Sequence, residues 1–187
     1  MPDFGALLAR LARSFAERDI PFMIIGGQAV LLHGEPRLTQ DIDVTLGLAP
    51  ERIPDILAAC KELGLEPLPE NVQSFVQTTF VLPAADRESG IRVDLIFSTT
   101  TYEAEAIARA QPVDVGGAMV PFATAEDLII HKLFAGRPRD IEDAGGVVRR
   151  KGPDLDWDYL RRQAAELAQV PGRESLSDAV EELRREV

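Results

Sequence analysis

Asp41, Asp43 and Asp94 are the side chains whose types and spacing point most directly to chemistry. Residues 41–46 alternate cleanly: Ile42, Val44 and Leu46 take one side of a predicted strand, and Asp41, Asp43 and Thr45 take the other. Two carboxylates leaving the same strand face repel each other unless something positive lies between them. The pair alone also fits an ordinary solvated strand face. Asp94 adds a third carboxylate inside the apolar run IRVDLIF, which predicts a second strand over 91–97 with Arg92, Asp94 and Ile96 on one face. If the two strands are neighbours in one sheet, the three carboxylates converge. Hard oxygen donors of this kind suit Mg²⁺ or Mn²⁺, which retain waters and bind substrate phosphates.

A phosphate-binding partner for such a centre is offered by Gly26-Gly27. The pair closes a short apolar strand over 21–25 and opens a short helix over 28–33 that Gly34 and Pro36 stop. Glycine backbone can approach a phosphate closely, and a helix start presents free N–H groups and the positive end of its dipole. A glycine pair also serves as a plain turn; here it precedes the Asp pair by one short helix.

These side chains must be positioned by the surrounding elements. Phe4, Leu7, Leu8, Leu11 and Phe15 recur at helical spacing over residues 3–18. Residues 50–63 read as a helix with proline at its start and Gly64 at its end. A loop is expected over 64–73, then a strand over 74–82 on account of its β-branched and aromatic residues. A polar connection over 84–90 leads into the Asp94 strand. A helix over 102–110 and a hairpin over 113–121 complete this part. From about residue 122 the chain reads as helical, over 124–135, 138–150, 156–168 and 175–185. The expected organisation is an α/β (α+β) part over 1–122 and a helical region over 123–187.

The segment IIGGQAVLLHGEPRLTQDIDV, followed downstream by RVDLI, resembles the DNA polymerase β-like nucleotidyltransferase superfamily. The stretch RLTQDID looks like the minimal, AbiEii-like members found as bacterial toxins or abortive-infection proteins. The likeness covers roughly residues 20–145. It implies a small mixed-sheet core flanked by helices, with the helical region completing the active-site cleft. It also implies transfer of a nucleoside monophosphate from a nucleoside triphosphate to an acceptor, with Mg²⁺ or Mn²⁺ on Asp41, Asp43 and Asp94. Asp41 and Asp43 would bridge two metals, and Asp94 would serve the attacking hydroxyl. Gly26 and Gly27 would hold phosphates, with Arg37 and Thr39 in support. By position, Lys132 carries over as a phosphate contact and Asp140 as the group that orients it, with Arg139 and Asp143 as neighbours. The same stretch also reads as a solvated helix-turn-helix with Arg–Asp pairs. The implied acceptors are an RNA 3′ end or a protein hydroxyl, with an antitoxin as partner, or a small hydroxylated molecule such as an antibiotic. A catalytically silent nucleotide-binding module is the reading from outside enzymology.

Bulk properties narrow these choices. The 187 residues carry a formal net charge of −11, with 45% hydrophobic and 27% charged residues. Such a chain does not attract a long polyanion through its average field, so nucleic acid would need a local basic patch. Lys132, Arg137, Arg139, Arg149, Arg150 and Lys151 either form one or, at 149–151, complement a helix C-terminus. The single cysteine, Cys60, excludes an intrachain disulfide and reads as core. Two histidines without a Cys pair argue against zinc, and His33 reads as a helix cap more than a base. Neither a signal peptide nor a membrane span is expected, which points to the cytoplasm. No motif identifies the base of the triphosphate.

Overall fold

The computed structural model describes residues 3–185. In chain order the elements are helix α1 (Phe4–Glu17), strand β1 (Phe22–Ile25), helix α2 (Gly26–His33), strand β2 (Asp41–Leu46), and helix α3 (Ile53–Leu63) after a 3-10 turn at Pro50–Arg52. Next come β3 (Leu65–Pro67), α4 (Val72–Thr79), β4 (Val81–Asp86), β5 (Arg92–Phe97), α5 (Thr101–Arg109), β6 (Gln111–Val115) and β7 (Ala118–Phe122). Helices α6 (Ala125–Ala135), α7 (Pro138–Lys151), α8 (Trp157–Leu167) and α9 (Leu176–Arg184) follow. The chain divides into two compact units, one formed by residues up to Gln28 with Thr39–Phe122, the other by Ala29–Leu38 with the residues from Ala123 onward.

The first unit is built on one seven-stranded mixed sheet of order β3-β4-β5-β2-β1-β7-β6. β2 and β5 run parallel, and β1 is antiparallel to β2. The predicted alternation explains the middle strands: Ile42, Val44, Leu46, Val93 and Leu95 are fully buried, whereas Asp41, Asp43 and Asp94 are half-buried. Thr45 departs from the pattern. It shares the face of the two aspartates but is completely covered, so that face opens only toward the N-terminal end of β2. α1 starts where Asp3 caps Ala6 N–H at 2.9 Å, and it buries Leu7, Leu8, Leu11 and Phe15. α3 carries a proline in its first turn and ends at Gly64 in the left-handed region (φ 72°).

Residues 72–79 form a helix where the sequence predicts a strand, and the expected loop contains the short strand β3. The local chemistry explains the helix. The Asn71 side chain accepts from Ser74 N–H at 3.0 Å, and Thr78 and Thr79 turn their hydroxyls back onto the carbonyls of Ser74 and Phe75. An N-cap and two such bonds, with Val76 buried on the inner side, outweigh a β-propensity that is largely a measure of packing context.

The second unit is helical, formed by α6–α9 with the C-terminal part of α2 and the segment to Leu38. Thr124 caps α6 by accepting from Asp127 N–H at 3.1 Å. The buried Asp127 then accepts from the Thr124 hydroxyl and from Tyr159 on α8. Among the described residues, no helix is long and apolar enough to cross a membrane.

Candidate active site

The register of the sheet brings the three carboxylates together. Asp43 is the direct partner of Asp94 across β2 and β5, and of Ile25 across β2 and β1. Asp41 lies two residues before Asp43, on the same face. Each of the three offers a carboxylate oxygen within 4.8 Å of the others. At that separation a pair of ionised carboxylates repels by roughly 1 to 4 kcal/mol, depending on the local dielectric. An all-oxygen donor set that converges against its own repulsion fits a divalent cation of the Mg²⁺ or Mn²⁺ type.

Arg92 provides part of the countercharge. Its Nε donates to Asp94 Oδ1 at 2.8 Å, and its side chain remains about half exposed. The hydrogen bond to Asp94 and the charge of that carboxylate raise the Arg92 pKa, with further contributions from Asp41 and Asp43. The sequence places Arg92 and Asp94 on one strand face; that they form an ion pair appears only in the structure.

The glycine pair is required by two of the same side chains. Gly26 sits at φ +61°, and a Cβ there would lie 1.8 Å from Asp43 Oδ2. A Cβ on Gly27 would lie 2.3 Å from Thr39 Oγ1. Both positions therefore exclude larger residues, so that the turn from β1 into α2 can sit directly against Asp43 and Thr39. Thr39 in turn donates to Asp41 Oδ1 at 3.1 Å. The first unit thus gathers Asp41, Asp43, Asp94, Gly26, Gly27 and Thr39.

The remaining expected site residues, Arg37, Lys132 and Asp140, belong to the second unit, where they form a charge cluster with Asp143. Lys132, only 7% exposed, places Nζ 2.8 Å from both Asp140 Oδ1 and Asp143 Oδ2. Arg37 grips Asp143 with Nε and Nη2 at 2.7 and 2.8 Å. Burial pushes the pKa of Asp140 up, but hydrogen bonds from Arg137 and Lys132, with their charges, outweigh it and hold it below the usual carboxylate range. Asp143 is lowered in the same way, burial being outweighed by Arg37 and Lys132. Asp143 is more central to this cluster than its place in the sequence indicates, because it joins Arg37 to Lys132. Of the basic run, Arg149 pairs with Glu35 at 2.9 Å and Arg150 donates to Gly34 O at 2.8 Å.

His33 does not act through a free ring. It is buried in the last turn of α2 with Nε2 2.8 Å from the Ala123 carbonyl, and burial lowers its pKa. Cys60 is a core residue, its thiol pushed up to about 12 by burial.

This fold is shared with solved nucleotidyltransferases. The antibiotic-resistance factor ANT(2'')-Ia superposes in its solution structure with a TM-score of 0.57 at 19% identity, over 97% of this chain and 89% of that one. Its crystal structure in complex with adenylyl-2''-tobramycin gives 0.52 at 19% identity, over 97% of both chains. An antigenic nucleotidyltransferase-like protein from Paracoccidioides brasiliensis gives 0.56 at 19% identity, over 95% and 91% of the two chains. The lincosamide antibiotic adenylyltransferase LnuA, with lincomycin bound, gives 0.52 at 14% identity, over 76% and 94%. The chain belongs to the family described as nucleotidyltransferase of unknown function (DUF6036), whose model matches residues 6–184. No curated protein matches the sequence.

Proposed function

We propose that this nucleotidyltransferase moves a nucleoside monophosphate from a nucleoside triphosphate to an acceptor hydroxyl, releasing pyrophosphate, at a centre made by Asp41, Asp43 and Asp94. The observation that carries this reading is the convergence of three carboxylate oxygens within 4.8 Å, directly against the Gly26 turn. Divalent cations held by these carboxylates would neutralise charge on the attacking and leaving oxygens. Asp41 and Asp43 would hold the metal together with Asp94, and Thr39 fixes the Asp41 carboxylate by its hydrogen bond. The backbone at Gly26 and Gly27 holds the phosphates that leave. Asp94, on the neighbouring strand, receives the acceptor hydroxyl and its proton.

The acceptor divides two readings. The AbiEii-like character of residues 37–43 supports an RNA 3′ end or a protein hydroxyl in a toxin system with an antitoxin partner. The antibiotic-modifying structures of the same fold support a small hydroxylated molecule. A silent binding module is disfavoured, because three mutually repelling carboxylates held together without a cation only cost stability.

The deciding experiment supplies purified protein with each α-labelled nucleoside triphosphate, Mg²⁺ and total cellular RNA, with Asp43→Asn as control. Label entering RNA from the unsubstituted protein alone supports the toxin-like acceptor and identifies the base. Label entering protein alone moves the search to protein hydroxyls. Without any label, retained Mg²⁺-dependent triphosphate binding leaves the small-molecule reading standing, and its loss removes the nucleotidyl-transfer reading itself.

A further inference from the structure

A groove of about 870 Å³ opens in the first unit at Arg92, the residue paired with Asp94. It lies between α4, the segment before it, and the edge of the sheet, and both Pro83 and Arg92 line it. Its position follows from strand order. β5 has β2 on one side and β4 on the other. Asp94 faces Asp43 across the first pairing and Pro83 across the second. Neighbouring strands are about 4.8 Å apart. The groove therefore reaches from Pro83, on the side of Asp94 away from Asp43 and the Gly26-Gly27 turn, to Arg92 on the Asp94 strand itself. A phosphate on the glycines and a molecule in this groove would meet at Asp94.

The lining has a definite chemistry. Leu68 (50% exposed) and Phe75 (39% exposed) supply an apolar wall, continued by Pro83. Thr78 and Thr79 give their hydroxyl protons to the Ser74 and Phe75 carbonyls, at 2.9 Å each, so their oxygens remain as acceptors, that of Thr79 shared with Val81 N–H at 3.3 Å. Glu70 adds a carboxylate. The one cation among the described lining residues, Arg92, is bound to Asp94. With a carboxylate at Glu70 and a single guanidinium already paired to Asp94, the described lining holds little of the Lys and Arg by which a phosphodiester chain is mainly held. It suits a ligand that donates hydrogen bonds and lays an apolar face on Phe75. The volume is within the usual range for small-molecule sites, about 300–1,000 Å³.

We propose that this groove is the acceptor subsite, and that the acceptor is a small, neutral or cationic polyhydroxylated molecule with an apolar face. This rests on the nucleotidyl-transfer reading above. One acceptor hydroxyl oxygen forms the bond to the α-phosphorus as the bond from that phosphorus to the pyrophosphate oxygen breaks. The hydroxyl proton passes to the Asp94 carboxylate and on to water.

The test uses the full chain with labelled triphosphates and Mg²⁺. Tobramycin, lincomycin and a low-molecular-mass cell fraction are offered separately, alongside a 3′-hydroxyl RNA oligonucleotide and cellular protein. Ser74→Lys adds a cation to the groove, and Phe75→Ala removes its exposed apolar wall. Label in a small-molecule arm is expected, with acceptor KM raised about tenfold or more in both variants and triphosphate affinity unchanged. Calorimetric binding of the labelled small molecule without nucleotide or metal should weaken in parallel. Label in RNA or protein only, or a small-molecule product made equally well by both variants, overturns the proposal and leaves nucleotidyl transfer standing. No label in any arm also overturns it, and triphosphate binding then shows whether the broader reading falls with it.

Discussion

The two aspartate clusters of this protein use the same side chain to opposite ends. Asp140 and Asp143 are almost fully buried, and Lys132, Arg37 and Arg137 close around them. Asp41, Asp43 and Asp94 are half-buried, close to one another, and share the countercharge of Arg92. A buried charge must be matched inside the chain, because water cannot do so. A half-buried cluster can instead stay undercompensated and take its missing charge from outside. The first arrangement satisfies its charges inside the chain, and the second is the centre proposed above for a cation.

Substitutions should separate the two. The largest effect is expected from Asp43→Asn, which preserves shape and removes a charge where charge is stabilised during transfer. Transfer should fall by roughly 10²–10³-fold. Metal-free stability should hold or rise by up to about 1 kcal/mol, since one repelling partner is gone. A fall in the metal-free urea midpoint would place Asp43 with the structural aspartates and break the comparison. Asp143→Ala should do the reverse. It leaves the buried Lys132 with one partner and Arg37 with none of its bidentate bonds to Asp143, and should lower unfolding free energy by about 3 kcal/mol. A variant within about 0.5 kcal/mol of the parent by urea titration would show that cluster to be dispensable for folding.

A smaller effect concerns acid. Asp140 and Asp143 have folded pKa values below their unfolded ones, so the unfolded chain binds more protons as pH falls. Their contribution is complete above the ordinary carboxylate value of about 3.9 and is lost as pH falls through the lower folded values. Thermal scans between pH 5 and pH 2.5 should show this loss, and Asp143→Asn should flatten it. An unchanged slope in the variant would remove Asp143 from the acid response.

The cluster on β2 and β5 was the more legible of the two in the sequence. A strand has a period of two, so Asp41 and Asp43 were bound to share a face, and the apolar frame of Asp94 marked a second strand. Their convergence needed only that β2 and β5 pair, which they do in register. The glycine pair was legible as a turn, but its close fit to Asp43 and Thr39 was not. The second cluster was harder to read, because its partners are far apart in the chain and Asp-rich helices are commonly solvated. The helix that walls the groove was not legible. Residues 72–79 carry strand-forming residue types, and only the Asn71 cap and the threonine back-bonds make them a helix.

The interleaving of the two units has a consequence for synthesis on the ribosome. Residues 29–38 belong with a unit whose other residues begin at Ala123. Arg37 and Asp143 are separated by 106 positions. At translation rates of about 5–20 residues per second, Arg37 waits roughly 5–20 seconds for its carboxylate to be made. During that interval the nascent chain must hold a short segment unpaired, and a C-terminal fragment begun at residue 123 would lack that segment altogether.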